Sequence, residues 1–227
     1  KDPREPTALT VAVTVLHERA EAESDPDARR LMDDEAAPLL ETLLTVRPDS
    51  WIGHRYAAQI ALRREEPDRA QRHFEKLQQL CPMDPASWRG LAGLYLERGE
   101  EDKALPQLIE LARMEENDAE VPLQIARILR HKGRLEEAQY WCRRSIEADA
   151  YGTDGYDMLG EVSLMLDDQE AALRAYRRLV QLEPQRARHY ERAAWAAHKL
   201  GREEEAKTLA QEAVRLDPDS PARALLP

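Results

Sequence analysis

Residues 85–118 read PASWRGLAGLYLERGEEDKALPQLIELARMEEND, a unit that recurs along most of the chain. On both sides of Gly99, apolar residues recur three and four apart, as one face of a helix requires. Gly99 can take the left-handed conformation that ends a helix, and the acidic residues after it favour the start of the next. The unit therefore predicts two short helices joined by a tight turn.

Two ladders of small residues repeat with a period of 34 residues. Alanine holds the first position in every copy: Ala36, Ala70, Ala104, Ala138, Ala172 and Ala206. The second position is held by Ala58, Ala92, Ala126, Gly160 and Ala194. Because small side chains let two helices cross closely, both ladders are expected at helix crossings. This periodicity predicts a stack of antiparallel helix pairs with no β-strand.

The pattern formed by Trp88, Leu91, Ala92 and Tyr95, followed by Ala104, resembles the signature of the tetratricopeptide repeat. The resemblance implies an all-α, right-handed superhelical solenoid of antiparallel helix pairs. Five repeats are expected over residues 51–220, after an irregular capping helix pair in residues 1–50. Residues 221–227 are expected to form a C-terminal tail, and the whole chain one continuous solenoid domain.

Two features near helix ends depart from the regular pattern. Glu116 and Ala150 stand where proline is usual, which predicts that the preceding helices continue or turn less sharply. At the C-terminal end, the last helix is expected to present Leu209, Val214 and Leu216. The tail is expected to fold over part of this surface, which is otherwise a candidate for self-association.

Composition narrows the classes of function. The net charge of −11 argues against non-specific nucleic-acid binding, which needs a basic face. No apolar run is long enough to cross a membrane, and no leader is visible, which slightly favours the cytoplasm. The excess of Arg over Lys is typical of GC-rich bacterial genomes.

Motifs for catalysis or metal binding are not found in the sequence. His17 and Glu18 lack the second His of a zinc-protease motif, and the two cysteines, Cys81 and Cys142, show no metal spacing. Cys142 replaces a core residue and is expected to be a buried thiol. The acidic pairs Glu65/Glu66 and Asp167/Asp168 are expected to cap helices. We therefore expect no catalytic site, metal site or cofactor.

In the family, the first helix of each pair lines a concave groove, so the resemblance implies a set of groove residues. These are Arg55, Gln59, Arg89, Arg127, Arg130, Asp157, Glu161, Glu191, Trp195 and His198. The groove would be basic in the middle repeats and acidic in the fourth, with an exposed indole in the fifth. A partner is then expected to place acidic residues opposite Arg127 and Arg130. The Asn with which chaperone-binding members grip a carboxylate has no counterpart here.

Two functions fit these expectations. The first is a non-catalytic scaffold that binds a peptide or partner protein in the groove. The second is a docking or oligomerisation tail of a larger enzyme or of a secretion or assembly protein.

The alanine ladder leads to a prediction about stability. Ala138 should be almost fully buried at a helix crossing, so replacing it with Leu should overpack the core. We expect Ala138→Leu to lower the free energy of unfolding by roughly 1–3 kcal/mol. Arg202→Ala, at an exposed position, should change it by about 0.5 kcal/mol or less. Urea unfolding measures both, and equal midpoints would contradict the assigned register.

Overall fold

The computed structural model describes residues 5–226, and the remaining parts of the predicted capping pair and tail lie outside that range. Over these residues the chain forms twelve α-helices and one short 3-10 helix, with no strand. The helices are α1 (Pro6–Ala22), α2 (Pro26–Val46), α3 (Trp51–Arg63), α4 (Pro67–Leu80), α5 (Pro85–Glu97), α6 (Glu101–Met114), α7 (Glu120–His131), α8 (Leu135–Ala148), α9 (Thr153–Met165), α10 (Gln169–Leu182), α11 (Ala187–Lys199) and α12 (Glu203–Leu216). The expected all-α repeat fold is confirmed.

Successive helices pack as pairs, from α1 with α2 to α11 with α12. The contacts group the helices into two compact units. Unit 1 extends through Met114 and contains α1–α6, while unit 2 begins at Glu115 and contains α7–α12 and the 3-10 tail helix, Pro221–Leu225.

The turn within each repeat closes in the same way. The residue after the turn donates its backbone N–H to the carbonyl five residues earlier, as Glu100 does to Tyr95. Gly99 precedes it with a φ of 71°, and Glu65 and Asp167 hold the same left-handed position with φ of 57° and 59°. Asp168 also accepts the N–H of Ala171, as its predicted capping role requires.

The predicted continuation of the helices before Glu116 and Ala150 is wrong. Helices α6 and α8 each contain 14 residues, as do α4, α10 and α12. Asp118 accepts the N–H of Glu120 at 2.9 Å, and Asp149 that of Tyr151 at 2.9 Å. Both side chains satisfy nearby backbone donors, and the helices end at the same place in the repeat as those followed by proline.

Small residues lie at the helix crossings, as predicted. Ala104, Ala138 and Ala172 are fully buried. Gly160 of α9 lies against the ring of Tyr176 of α10, and a Cβ at residue 160 would overlap that ring. Burial of the phenol raises the pKa of Tyr176 to about 12. The ring therefore occupies the space that the missing side chain leaves.

The C-terminal tail folds back onto unit 2, as expected. Ala222 is fully buried in a cluster with three alanines of α11 and α12: Ala194, Ala210 and Ala213. Leu209 packs against this cluster together with Leu225 and Leu226 of the tail. The tail thus covers Leu209, whereas Val214 and Leu216 lie outside the cluster.

A pair of histidines joins α3 to α4 in unit 1. His54 Nε2 lies 2.9 Å from the carbonyl oxygen of Pro48, which can only accept, so Nε2 carries the proton. The Nδ1 atoms of His54 and His73 lie 3.0 Å apart, a distance at which one ring donates a hydrogen bond and the other accepts it. Burial, followed by the charges of His54, Arg69 and Arg72, lowers the pKa of His73 to about 4.

The contact between Gly160 and Tyr176 predicts opposite outcomes for two glycine substitutions. We expect Gly160→Ala to destabilise the protein by roughly 1–3 kcal/mol, because the new methyl group displaces the ring. Gly93→Ala in α5 should instead stabilise it by about 1 kcal/mol, since a Cβ there meets nothing within 4 Å. Denaturant unfolding of both variants checks the signs.

A third variant tests whether the Tyr176 ring is what requires glycine at residue 160. Adding Tyr176→Leu to Gly160→Ala recreates the combination that Ala92 and Leu108 hold in another repeat. The double variant should be less destabilised than the sum of the two single variants. Strict additivity would show that the ring is not what requires glycine at residue 160.

The histidine pair predicts a loss of stability in mild acid. The folded-state pKa of His73, about 4, lies below its unfolded value of about 6.5. Above pH 6.5, residue 73 is unprotonated in both the folded and the unfolded state. As the pH falls from 6.5 towards 4, only the unfolded chain binds a proton there. The free energy of unfolding therefore decreases between pH 6.5 and pH 4. The stability difference between wild type and His73→Gln should therefore shrink from pH 7.5 to pH 5. Urea unfolding at the two pH values measures this difference.

Candidate functional site

In unit 2, the predicted groove residues lie on α7, α9 and α11, which are the first helices of its three repeats. On α9, Glu161 comes four residues after Asp157, and Leu164 and Met165 come three and four residues after Glu161, so they lie towards one face. On α7 the residues are Arg127 and Arg130, and on α11 they are Glu191, Trp195 and His198.

Ion pairs link these three helices across the repeats. Arg130 Nη1 lies 2.5 Å from Glu161 Oε2, and Glu161 Oε1 accepts from Arg192 Nη2 at 3.0 Å. Arg192 also binds Asp157 through Nη1. Two cations and two carboxylates thus form a continuous network from α7 through α9 to α11, and their formal charges cancel.

Arg192 has the central place in this network. Its side chain is only 17% exposed, and its guanidinium lies over the Tyr176 ring, 5.7 Å from the centroid. Cation–π contact and two carboxylates together orient the guanidinium. The arginine is therefore held in place before any partner arrives.

Three other predicted groove residues also have partners inside the chain. Arg127 binds Glu120 of its own helix at 3.0 Å. Glu191 accepts from Ser220 Oγ at 3.3 Å, and His198 Nδ1 lies 3.1 Å from Glu203 Oε2. The expected row of free charges along the groove is thus largely paired internally.

Apolar side chains form the remaining exposed part of this face. Trp195 is 37% exposed, with its ring edge-on to His198 at a centroid distance of 6.1 Å. Leu164 and Met165 are 40% and 55% exposed. A shallow groove at the C-terminal ends of α7 and α9 is lined by Leu164 and Met165 together with Arg130, His131 and Glu161. We call Leu164, Met165 and Trp195 the apolar triad.

In unit 1, the predicted groove residues lie on α3 and α5. Arg55 Nη1 is 3.4 Å from Oδ2 of Asp84, a buried residue at the start of α5. Arg55 Nε and Gln59 Oε1 are buried and have no hydrogen-bond partner among the described residues. Arg89 is exposed on α5.

Within residues 5–226, no three His, Cys, Asp or Glu side chains converge as a metal site would need. Cys142 is fully buried, as expected, and burial raises the pKa of its thiol to about 12. None of the described helices is both long and apolar enough to span a bilayer.

A sequence profile of the tetratricopeptide repeat matches residues 34–82, 57–122, 102–153 and 166–221. The chain belongs to the tetratricopeptide-repeat family. The overlapping matches cover most of both units, which agrees with the 34-residue ladders. No curated protein matches the chain in sequence.

Solved tetratricopeptide-repeat structures share the fold. YrrB superposes with a TM-score of 0.66 at 14% identity, over 82% of this chain and 95% of that one. MamA gives 0.62 at 18% identity, over 78% and 95%. PilF of Pseudomonas aeruginosa gives 0.60 at 15% identity, over 95% and 96%. At these identities the similarity shows the fold alone.

Sequence reasoning missed three residues of this tetratricopeptide-repeat face. Arg192 was not predicted because it lies next to the expected position Glu191. Its signal was nevertheless present: two carboxylates four apart, at 157 and 161, and an arginine one repeat later. Leu164 and Met165 occupy family groove positions, but the predicted set on this helix contains only charged residues.

Proposed function

We propose that the chain is a non-catalytic scaffold that binds a segment of another protein on the face of unit 2 formed by α7, α9 and α11. The observation that carries the proposal is the exposed indole of Trp195 on α11. Trp is enriched among the residues that dominate the binding energy of protein interfaces, since it buries a large surface with few rotatable bonds.

The setting of Trp195 supports this interpretation. Its neighbours Ala194 and Ala196 are buried in the repeat core, so the helix beneath it is firmly packed. Arg192, one turn before it, is held by Asp157 and Glu161. A rigid helix that presents an indole can bind a partner with little loss of conformational entropy.

Family membership points in the same direction. YrrB is described as a tetratricopeptide-repeat protein with an unusual peptide-binding site. We extend peptide or protein binding to this chain as part of the proposal, without transferring the position of that site.

The alternative role, as a docking or oligomerisation tail of a larger protein, stays a prediction. Self-association through the C-terminal end would involve the surface that Ala222 and Leu225 already cover in part. Two copies meeting there would therefore have to displace the tail helix or pack against it.

The proposal is tested by isolating the natural partner with the full chain and then titrating it calorimetrically against variants. Trp195→Ala should weaken binding by about 2 kcal/mol or more, as truncated hot spots do. Trp51→Ala is a matched control, because Trp51 is 41% exposed but lies in unit 1. Circular dichroism should show that both variants fold. A partner that binds Trp195→Ala as tightly as wild type would rule out this face.

A further inference from the structure

The charges on the proposed binding face already satisfy one another. Arg130 and Arg192 are matched by Glu161 and Asp157, and each contact joins two different helices. An acidic residue of a bound protein would have to compete with Glu161 for Arg130. The half-buried carboxylate of Glu161 would then lose its ion pair with Arg130. Charge complementarity is therefore poorly suited to hold a ligand here.

One helical turn further along, the same face is apolar. Arg192 contacts both Asp157 and Glu161, so it lies beside the middle of α9. Trp195 comes three residues after Arg192, and Leu164 and Met165 three and four residues after Glu161. Because a helical turn takes about 3.6 residues, Trp195 lies less than about one turn from Leu164 and Met165 along the helix axes.

The members of the triad suit an apolar side chain of a partner. The indole offers a wide flat surface, and the unbranched Met165 side chain can adjust its shape to different guests. All three are more than a third exposed, although Leu and Trp bury readily when a partner is present. One turn before them on the same face, the ion-pair network carries no net formal charge.

We infer that the segment bound by this face is anchored by a bulky apolar side chain, Leu, Met or an aromatic residue, inserted between Leu164, Met165 and Trp195. The inference rests on the proposed function and names the chemistry of its ligand. It replaces the expectation that acidic residues opposite Arg127 and Arg130 direct binding. Binding of such a segment depends weakly on salt, because no ion pair is made or broken.

Random heptapeptides displayed on phage, selected against the full chain, are the probe. Enriched sequences are then made as capped peptides and titrated calorimetrically at 50 and 500 mM NaCl. We expect the peptides to share Leu, Met or an aromatic residue, and their affinity to change by about threefold or less between the two salts. Enrichment of acidic or basic peptides whose affinity falls steeply with salt would overturn the inference.

Variants separate the contributions of the triad and the network. Leu164→Ser/Met165→Ser and Trp195→Ala should each weaken the peptides by about tenfold or more, and Arg130→Gln by about threefold or less. Leu62→Ser is the matched control, since Leu62 is 37% exposed in unit 1 and should leave binding unchanged. Thermal unfolding confirms that each variant is folded.

The outcomes distinguish the inference from the proposed function. Peptides that lose affinity with Arg130→Gln but not with the triad variants would overturn the apolar anchor and leave this face as the binding site. Peptides indifferent to every substitution on α7, α9 and α11, or no enriched peptide at all, would overturn the proposed function as well.

Discussion

The contact between the Tyr176 ring and the backbone of Gly160 sets the geometry of unit 2. A ring of this size fits between α9 and α10 only because residue 160 has no side chain. Phe74 and Gly90 make the same kind of contact in unit 1, between α4 and α5. Close packing leaves no room for an extra methyl group at either place, so helix spacing and side-chain size are matched pair by pair.

The electrostatics of the proposed binding face follow from this packing. The Tyr176 ring provides the surface over which Arg192 lies, and Arg192 in turn binds Asp157 and Glu161. Asp157 and Glu161 are therefore paired within the chain, and Glu161 also pairs with Arg130. Leu164, Met165 and Trp195 are left exposed on the same face, so a core contact influences the chemistry of the surface.

Most of the fold could be predicted because it depends on local, periodic signals. Helix pairs, glycine turns and buried alanines all repeat at 34 residues, and each is confirmed. The helix ends near Glu116 and Ala150 were predicted wrongly because proline was taken as the signal for the turn. Helices α6 and α8 nevertheless end at the same place in the repeat as those followed by proline, so proline at that one position is not what ends them.

The candidate site could be predicted only in part from the sequence. By itself, the sequence determined which helices carry Arg130, Asp157, Glu161 and Trp195, since helical periodicity assigns a face to each position. Only the tertiary structure decided which of these charges form ion pairs within the chain. Arg192 and Asp157 are 35 residues apart, and their pairing depends on how neighbouring repeats stack. Periodicity gives a direction within one helix, whereas the distance between side chains of two helices depends on the packing of the core between them.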